Sequence, residues 1–457
     1  MRNRYLYITL LSLLGFSAEA TAQVLAQTPQ LVVNITINQL RTDLLETYAP
    51  LYTDDGLKHL LDQGMVFPSA TYPFTPVDPA AAAASVQTGT TPYYNGITGA
   101  EWMNRNTLRP QNIVDDKEQG PTPTQLMTST IGDELKIATT GQGKVFSFAT
   151  NPECAILSAG HAADGAVWTA NGQWQMASYY KPANQWLNWY VNQWLPTKDT
   201  NRSVTDLALK CVEQLGLGRD DQTDLLCVNY DVQSDAVGYQ LMDHNIAALL
   251  KGILGTIPRE RVLFVLTGTG TTEEEQEQDN ERYRIPTGKV YINRSANLLN
   301  MYLGAMYGSA HYVETYYKNQ IFLNKKLIEQ KNLKRLEVLQ MAQDFLLQLS
   351  GIRQVYTNNQ LQTADSPLMQ HIRNGFNKEK CGDLIVEVAP GWQLINEETQ
   401  QQTTYRSAIV HFPIILFGYN IPAQRVLTPV TADRIAPTVA RAIRIRAPNA
   451  CKAEPLF

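Results

Sequence analysis

Short apolar runs recur along the chain at Leu31 to Ile37, Lys144 to Phe148, Leu225 to Asn229, Val262 to Thr267, Leu384 to Val388 and Ala408 to Phe417. They are rich in β-branched and aromatic residues and bounded by turn formers, the pattern of strands buried on both faces. Between them lie stretches with helical spacing of apolar positions: Val204 to Leu215, Ala236 to Leu254, Lys325 to Leu349 and Ile435 to Ile445. Strands alternating with amphipathic helices predict an α/β fold, a mostly parallel sheet covered on both faces. Ligands of such sheets bind beyond the carboxyl ends of the strands, so the loops leaving these runs are where chemistry is to be sought.

Composition narrows the picture. With 457 residues, 44% of them hydrophobic, the chain is long enough for a large core. Its formal net charge of −5 and lack of Lys/Arg runs exclude a broad nucleic-acid surface. Met1-Arg2-Asn3-Arg4, the apolar run Tyr5 to Phe16 and the small residues up to Ala22 have the anatomy of a secretory leader over 1–22, with the mature chain starting near Gln23. No later stretch is apolar for long enough to span a bilayer. A periplasmic or secreted protein with no transmembrane segment after cleavage is the expectation. Five scattered cysteines make neither a disulfide scaffold nor a CxxC metal site, though an oxidising compartment permits one or two bridges. Thr272 to Gln278 reads as a solvated acidic loop, and the Trp- and Tyr-rich region Trp168 to Trp194 as either a packing core or a carbohydrate-stacking surface.

A series of motifs in fixed order carries a family resemblance. It comprises Asn38-Gln39-Leu40-Arg41 after the first strand, Thr88-Gly89-Thr90-Thr91-Pro92 with Asn95-Gly96-Ile97, and Ala155 to Ala166 around Gly160-His161-Ala162. Ser234 to Gly238, Arg284 to Gly288, His411-Phe412-Pro413 and Ile435 to Thr438 complete it. Together they resemble the PafA-type alkaline phosphatases, relatives of the nucleotide pyrophosphatase/phosphodiesterases in the alkaline phosphatase superfamily. The resemblance implies a three-layer α/β/α core, residues 23–457 forming a single domain with cap insertions roughly within 98–200 and 274–380. It also implies phosphate-ester hydrolysis by two zinc ions and a Thr or Ser nucleophile, the metals activating the hydroxyl and steadying the leaving oxygen.

Carried over residue by residue, that machinery is mostly absent. The nucleophile position falls on Pro79, and Asp78-Pro79 followed by alanines reads as a capped helix start. The first metal aspartate is replaced by Asn38, and the Asp-His metal pair by Gly268 and Thr269. The phosphate-binding asparagine corresponds to Ala100, and the clamp lysine and arginine to Asn151 and Glu153. Of the remaining metal set, Asp235 and His411 are kept while the middle histidine is Tyr239. Asp235 and His411 are expected either to hold a single weak zinc or to hydrogen-bond each other as a structural pair. No cofactor is expected beyond at most that zinc. His161 is expected to hydrogen-bond rather than ligate, and His59, His244, His311 and His371 have no partner at metal spacing.

The expected function is an exported pseudoenzyme with a binding or scaffolding role, its partner an unknown protein, glycan or phosphorylated ligand. One alternative is an active hydrolase with a relocated nucleophile, Thr75 or Ser85. Another is a glycan-binding module using Trp168, Trp174, Trp186 and Trp189.

Overall fold

A computed structural model describes residues 28–181, 184–270, 286–363, 366–403 and 410–457. The leader over 1–22, the acidic run Thr272 to Gln278 and the proposed boundary at 274 lie outside them. A ten-stranded sheet forms the centre. Its main strands are β1 (Leu31–Asn38), β2 (Met65–Thr71), β3 (Val145–Ala149), β4 (Gly165–Ala170), β5 (Gln173–Met176), β6 (Asp224–Asp231), β7 (Val262–Gly268) and β8 (Phe412–Gly418). Their order is β2-β8-β7-β1-β6-β3-β4-β5. From β7 across to β4 all neighbours are parallel, whereas β8 pairs antiparallel with both β7 and β2, and β5 pairs antiparallel with β4.

Alternation along β1 divides the core into two layers. Leu31, Val33, Ile35 and Ile37 face one side with the buried residues of helices Thr200–Leu215 and Ala236–Leu254. Val32 faces the other, packed with α1 (Pro79–Thr88) and the helices Ile131–Ala138 and Ile435–Ile443. The result is the predicted three-layer α/β/α arrangement. Helix α1 is alanine-rich, and every residue from Ala80 to Thr88 is buried, because only small side chains let a helix lie this deep against a sheet. It stops at Gly89, whose φ of 63° admits the left-handed turn without a Cβ penalty.

One strand expectation and one helix expectation differ from the structure. Leu384–Val388 is a strand of a separate four-stranded sheet formed with Val313–Tyr317, Gln320–Leu323 and Ile352–Thr357. An apolar run reports burial, not which sheet buries it. The expected helix Lys325 to Leu349 is split into Lys325–Gln330 and Arg335–Leu346, with Asn332 at φ 52° in the break. That smaller sheet, helix Ile292–Tyr307 and their own apolar core make a cap body over 288–403. Among the described residues within 98–200, only the hairpin Glu101–Asn104/Arg109–Asn112 and the short pair at 115–121 form sheets of their own, since β3, β4 and β5 belong to the main sheet. Cap and core are tied by buried groups: Arg105 reaches buried Asp383 at 3.0 Å, and Lys380 Nζ donates to Gly96 O at 2.7 Å. All five cysteines are free, so no bridge forms.

Candidate functional site

Four adjacent parallel strands, β7, β1, β6 and β3, end side by side, and their last residues or the residues just after them are polar. In register, Asn38 lies opposite Asp231, Ile37 opposite Gly268, and Asn229 opposite Ala149, which precedes Thr150. Hydrogen bonds stitch this edge together. Thr269 Oγ1 accepts from Gln39 N at 3.0 Å and donates to Asn38 Oδ1 at 2.9 Å. Asn38 Nδ2 donates to Asp231 Oδ1 at 2.8 Å, and the Thr150 hydroxyl donates to Asp231 Oδ2. Asn201 holds the Asp231 backbone from outside, donating to its carbonyl at 2.6 Å and accepting its N–H at 3.1 Å. Each bond to a neutral partner contributes about 1 kcal/mol, and those to the carboxylate about 1.5–3 kcal/mol.

Above this edge two helix N-termini converge, and both are capped by side chains. Asp78 Oδ1 accepts from Ala80 N at 2.9 Å and also from Ala100 N at 3.1 Å, so the expected cap is present and additionally binds the backbone of Ala100. Burial pushes the Asp78 carboxyl upward, opposed by Lys318 of the cap and by the backbone amides. The second helix, α2 (Pro152–Ala159), is capped by Asn151, which accepts from Cys154 N at 2.9 Å. Glu153 in its first turn accepts from Asn112 Nδ2. Between the two helices Cys154 Sγ lies 3.9 Å from Pro79 O. Burial pushes its thiol far up, with Asp231, Glu153 and Asp78 adding to the effect, so it offers no thiolate.

The alkaline-phosphatase resemblance implies two zinc ions, and the residues present do not fit them. A Cβ on Gly268 would sit 2.7 Å from Leu40 O and 2.8 Å from Leu40 Cβ, so backbone has closed over the place where a ligand side chain would begin. The carbonyl oxygen of Asn38, which would have to turn to a metal, accepts from Thr269. In the second set, the buried Tyr239 hydroxyl accepts from Arg41 N at 3.0 Å, and burial raises it to about 12. Asp235 caps helix Ala236–Leu254 by accepting from Gly238 N at 2.7 Å. His411 is exposed, and its carbonyl accepts from Thr42 N. The expected hydrogen bond between Asp235 and His411 is not found: the Asp235 carboxylate caps its own helix and His411 is exposed. Among the described residues, no three His, Cys, Asp or Glu side chains converge to hold a metal.

The other sequence candidates fall as follows. His161 bonds Asp133 Oδ2 through Nδ1 and Leu126 O through Nε2, both at 3.0 Å, the hydrogen-bonding role expected of it. Ser85, within α1, is fully buried with no partner for its hydroxyl, and Thr75 is 9% exposed. Trp168 and Trp174 are core residues, whereas Trp189 is 53% exposed. Sequence reasoning missed Asp231, Thr150 and Lys318. The signal for Asp231 was present: it is the polar terminus of a buried strand, at the carboxyl end where chemistry was sought.

Residues 32–411 match the family model of type I phosphodiesterase / nucleotide pyrophosphatase. A relative from Myroides odoratus, described as a calcium-transporting ATPase, is 24% identical over 525 residues, covering 95% of both chains. Alkaline phosphatase PafA of Elizabethkingia meningoseptica is 21% identical, covering 94% of both. Among solved structures, wild-type alkaline phosphatase PafA superposes with a TM-score of 0.82 at 20% identity, covering 94% of this chain and 98% of that one. Murine ectonucleotide pyrophosphatase / phosphodiesterase 5 superposes at 0.57 with 11% identity, covering 92% and 96%. This chain belongs to the type I phosphodiesterase / nucleotide pyrophosphatase family, and it shares the fold of alkaline phosphatase PafA.

Proposed function

We propose that this protein is a non-hydrolytic member of its family, exported through its N-terminal leader and retaining the fold for binding rather than for phosphoryl transfer. The observation that carries the reading is the stitch Thr269–Asn38–Asp231–Thr150, in which polar atoms at the strand ends satisfy one another instead of facing a metal. Around it the charge is inverted. A phosphate pocket relies on bare helix N-termini and cations; here Asp78 occupies one N-terminus, Asn151 the other, and Asp78, Asp231 and Glu153 all lie near Cys154. Lys318 opposes this charge beside Asp78. A carboxylate about 4 Å from a phosphate costs on the order of 1–4 kcal/mol, depending on the local dielectric. A phosphorylated ligand is therefore disfavoured in this pocket, and neither zinc nor any other cofactor is assigned to it.

The test is hydrolysis of p-nitrophenyl phosphate and bis(p-nitrophenyl) phosphate by the purified chain with added zinc. Rates equal to a mock preparation are expected, and they should stay there in Pro79→Thr, because that change restores a hydroxyl without anything to activate it. Zinc-dependent turnover that His411→Ala abolishes contradicts the reading. The export claim is checked separately, by N-terminal sequencing of the processed protein, expected to begin at Gln23.

A further inference from the structure

From Gly165 to Thr197 the chain holds five of its seven tryptophans and a single charged residue, Lys181. The structure divides this run. Trp168 and Trp174 are buried beneath the edge of the sheet, while helix α3 (Gln185–Gln193) lies over that edge with Leu187 buried inward. Its outer surface is aromatic and uncharged. Trp186 and Tyr190 are half-buried, with ring centroids 5.4 Å apart, and Tyr190 stacks on Trp194 at 6.2 Å with an interplanar angle of 27°. These contacts brace one flank of the helix. Trp189 on the helix and Trp194 at its C-cap are more than half exposed, at 53% and 56%, among the exposed amides of Gln185, Asn188, Asn192 and Gln193.

We infer that the outer face of α3 is a binding surface for a neutral hexose polysaccharide, engaged by Trp189 and Trp194. A sugar ring has a C–H face that packs on an indole and hydroxyls that pair with amide donors and acceptors, and this face supplies both. Charge supports this occupant. From Asn184 to Thr197 no side chain is ionised at neutral pH, so the helix itself offers no charge to an anionic lipid, a phosphate or an acidic peptide. The nearest charges on the neighbouring helix neutralise one another, Arg202 with Asp206 at 3.0 Å and Lys210 with Glu213 at 2.7 Å. The surface is independent of the degenerate pocket, so its test stands whether or not the protein hydrolyses anything.

The full chain is titrated with cellohexaose and maltohexaose, following tryptophan fluorescence and heat, and is tested for retention on insoluble cellulose and starch. Binding to one linkage class is expected, weakened tenfold or more by Trp189→Ala or Trp194→Ala and unchanged by Leu427→Ala, a control at a distant exposed apolar side chain. Trp189 is 53% exposed, so circular dichroism and melting temperature should match the parent in Trp189→Ala. No binding to either linkage class, or binding that survives loss of both indoles, overturns the assignment. It is also overturned by a dimer in analytical ultracentrifugation that Trp189→Ala dissociates, which gives the face to a second copy, or by capture on phosphatidylcholine vesicles that the same change removes.

Discussion

The two sets of residues that the resemblance assigns to metal have been lost in different ways. In the first, Asn38 and Thr269 join Asp231 and Thr150 in a continuous hydrogen-bonded edge, and the strand end at Gly268 has closed against Leu40. In the second, Asp235, Tyr239 and His411 are dispersed: one caps a helix, one accepts a backbone N–H, and one faces solvent. The first set has been rebuilt as a unit and the second dismantled into parts. Substitutions in the first should therefore be costly and coupled, and those in the second modest and independent.

The largest effect separating the two sets is expected at Gly268→Asp. The new Cβ meets Leu40 backbone within 2.8 Å, and a carboxylate enters a closed, metal-free edge. A loss of about 3–5 kcal/mol by urea denaturation is expected, and a neutral outcome means the edge is open. Next is Asn38→Asp, which removes the donor to Asp231 and places a second carboxylate against it. About 1–4 kcal/mol should be lost at neutral pH, and zinc should not restore it; recovery with zinc would show the ligand geometry intact. In the second set, Asp235→Ala should cost about 1 kcal/mol for a lost helix cap, and His411→Ala less than about 0.5 kcal/mol as an exposed change. Additivity of that pair, against strong coupling of Asn38→Asp with Thr150→Val, is the sharper form of the contrast.

A pH-dependent effect lies outside both sets. The side-chain hydrogen bond to Asp133 raises the pKa of His161, and both its ring nitrogens face acceptors. Its contribution is fully present below the unfolded value near 6.5 and is lost as pH rises through the higher folded value. The Asp133 carboxyl of the same pair is lowered, so that side of the contribution disappears as pH falls below the ordinary aspartate range. His161→Gln should flatten stability between about pH 6 and 8, by less than about 1 kcal/mol given its partial exposure.

Much of this was legible in the sequence. The β1 run, helix Ala236–Leu254 and the Asp78 cap on Pro79 follow from period, length and capping chemistry alone. The substituted positions were legible because the motifs around them are intact. What replaced the metal was not, since Asp231 and Thr150 join Asn38 only through strand register, which no local pattern encodes. The Asp235–His411 pairing failed for the converse reason: the Asp235 carboxylate is taken by a backbone N–H at its own helix start, a bond that needs no distant partner.

The most direct measurement of the central claim is zinc bound per chain after equilibrium dialysis, read together with the melting temperature in the same zinc. A ligand that binds only the folded protein stabilises it by RT ln(1 + L/Kd) at free concentration L and so raises that temperature. The account predicts substoichiometric zinc and an unchanged melting temperature. Two zinc ions per chain with a rise in melting temperature would contradict it.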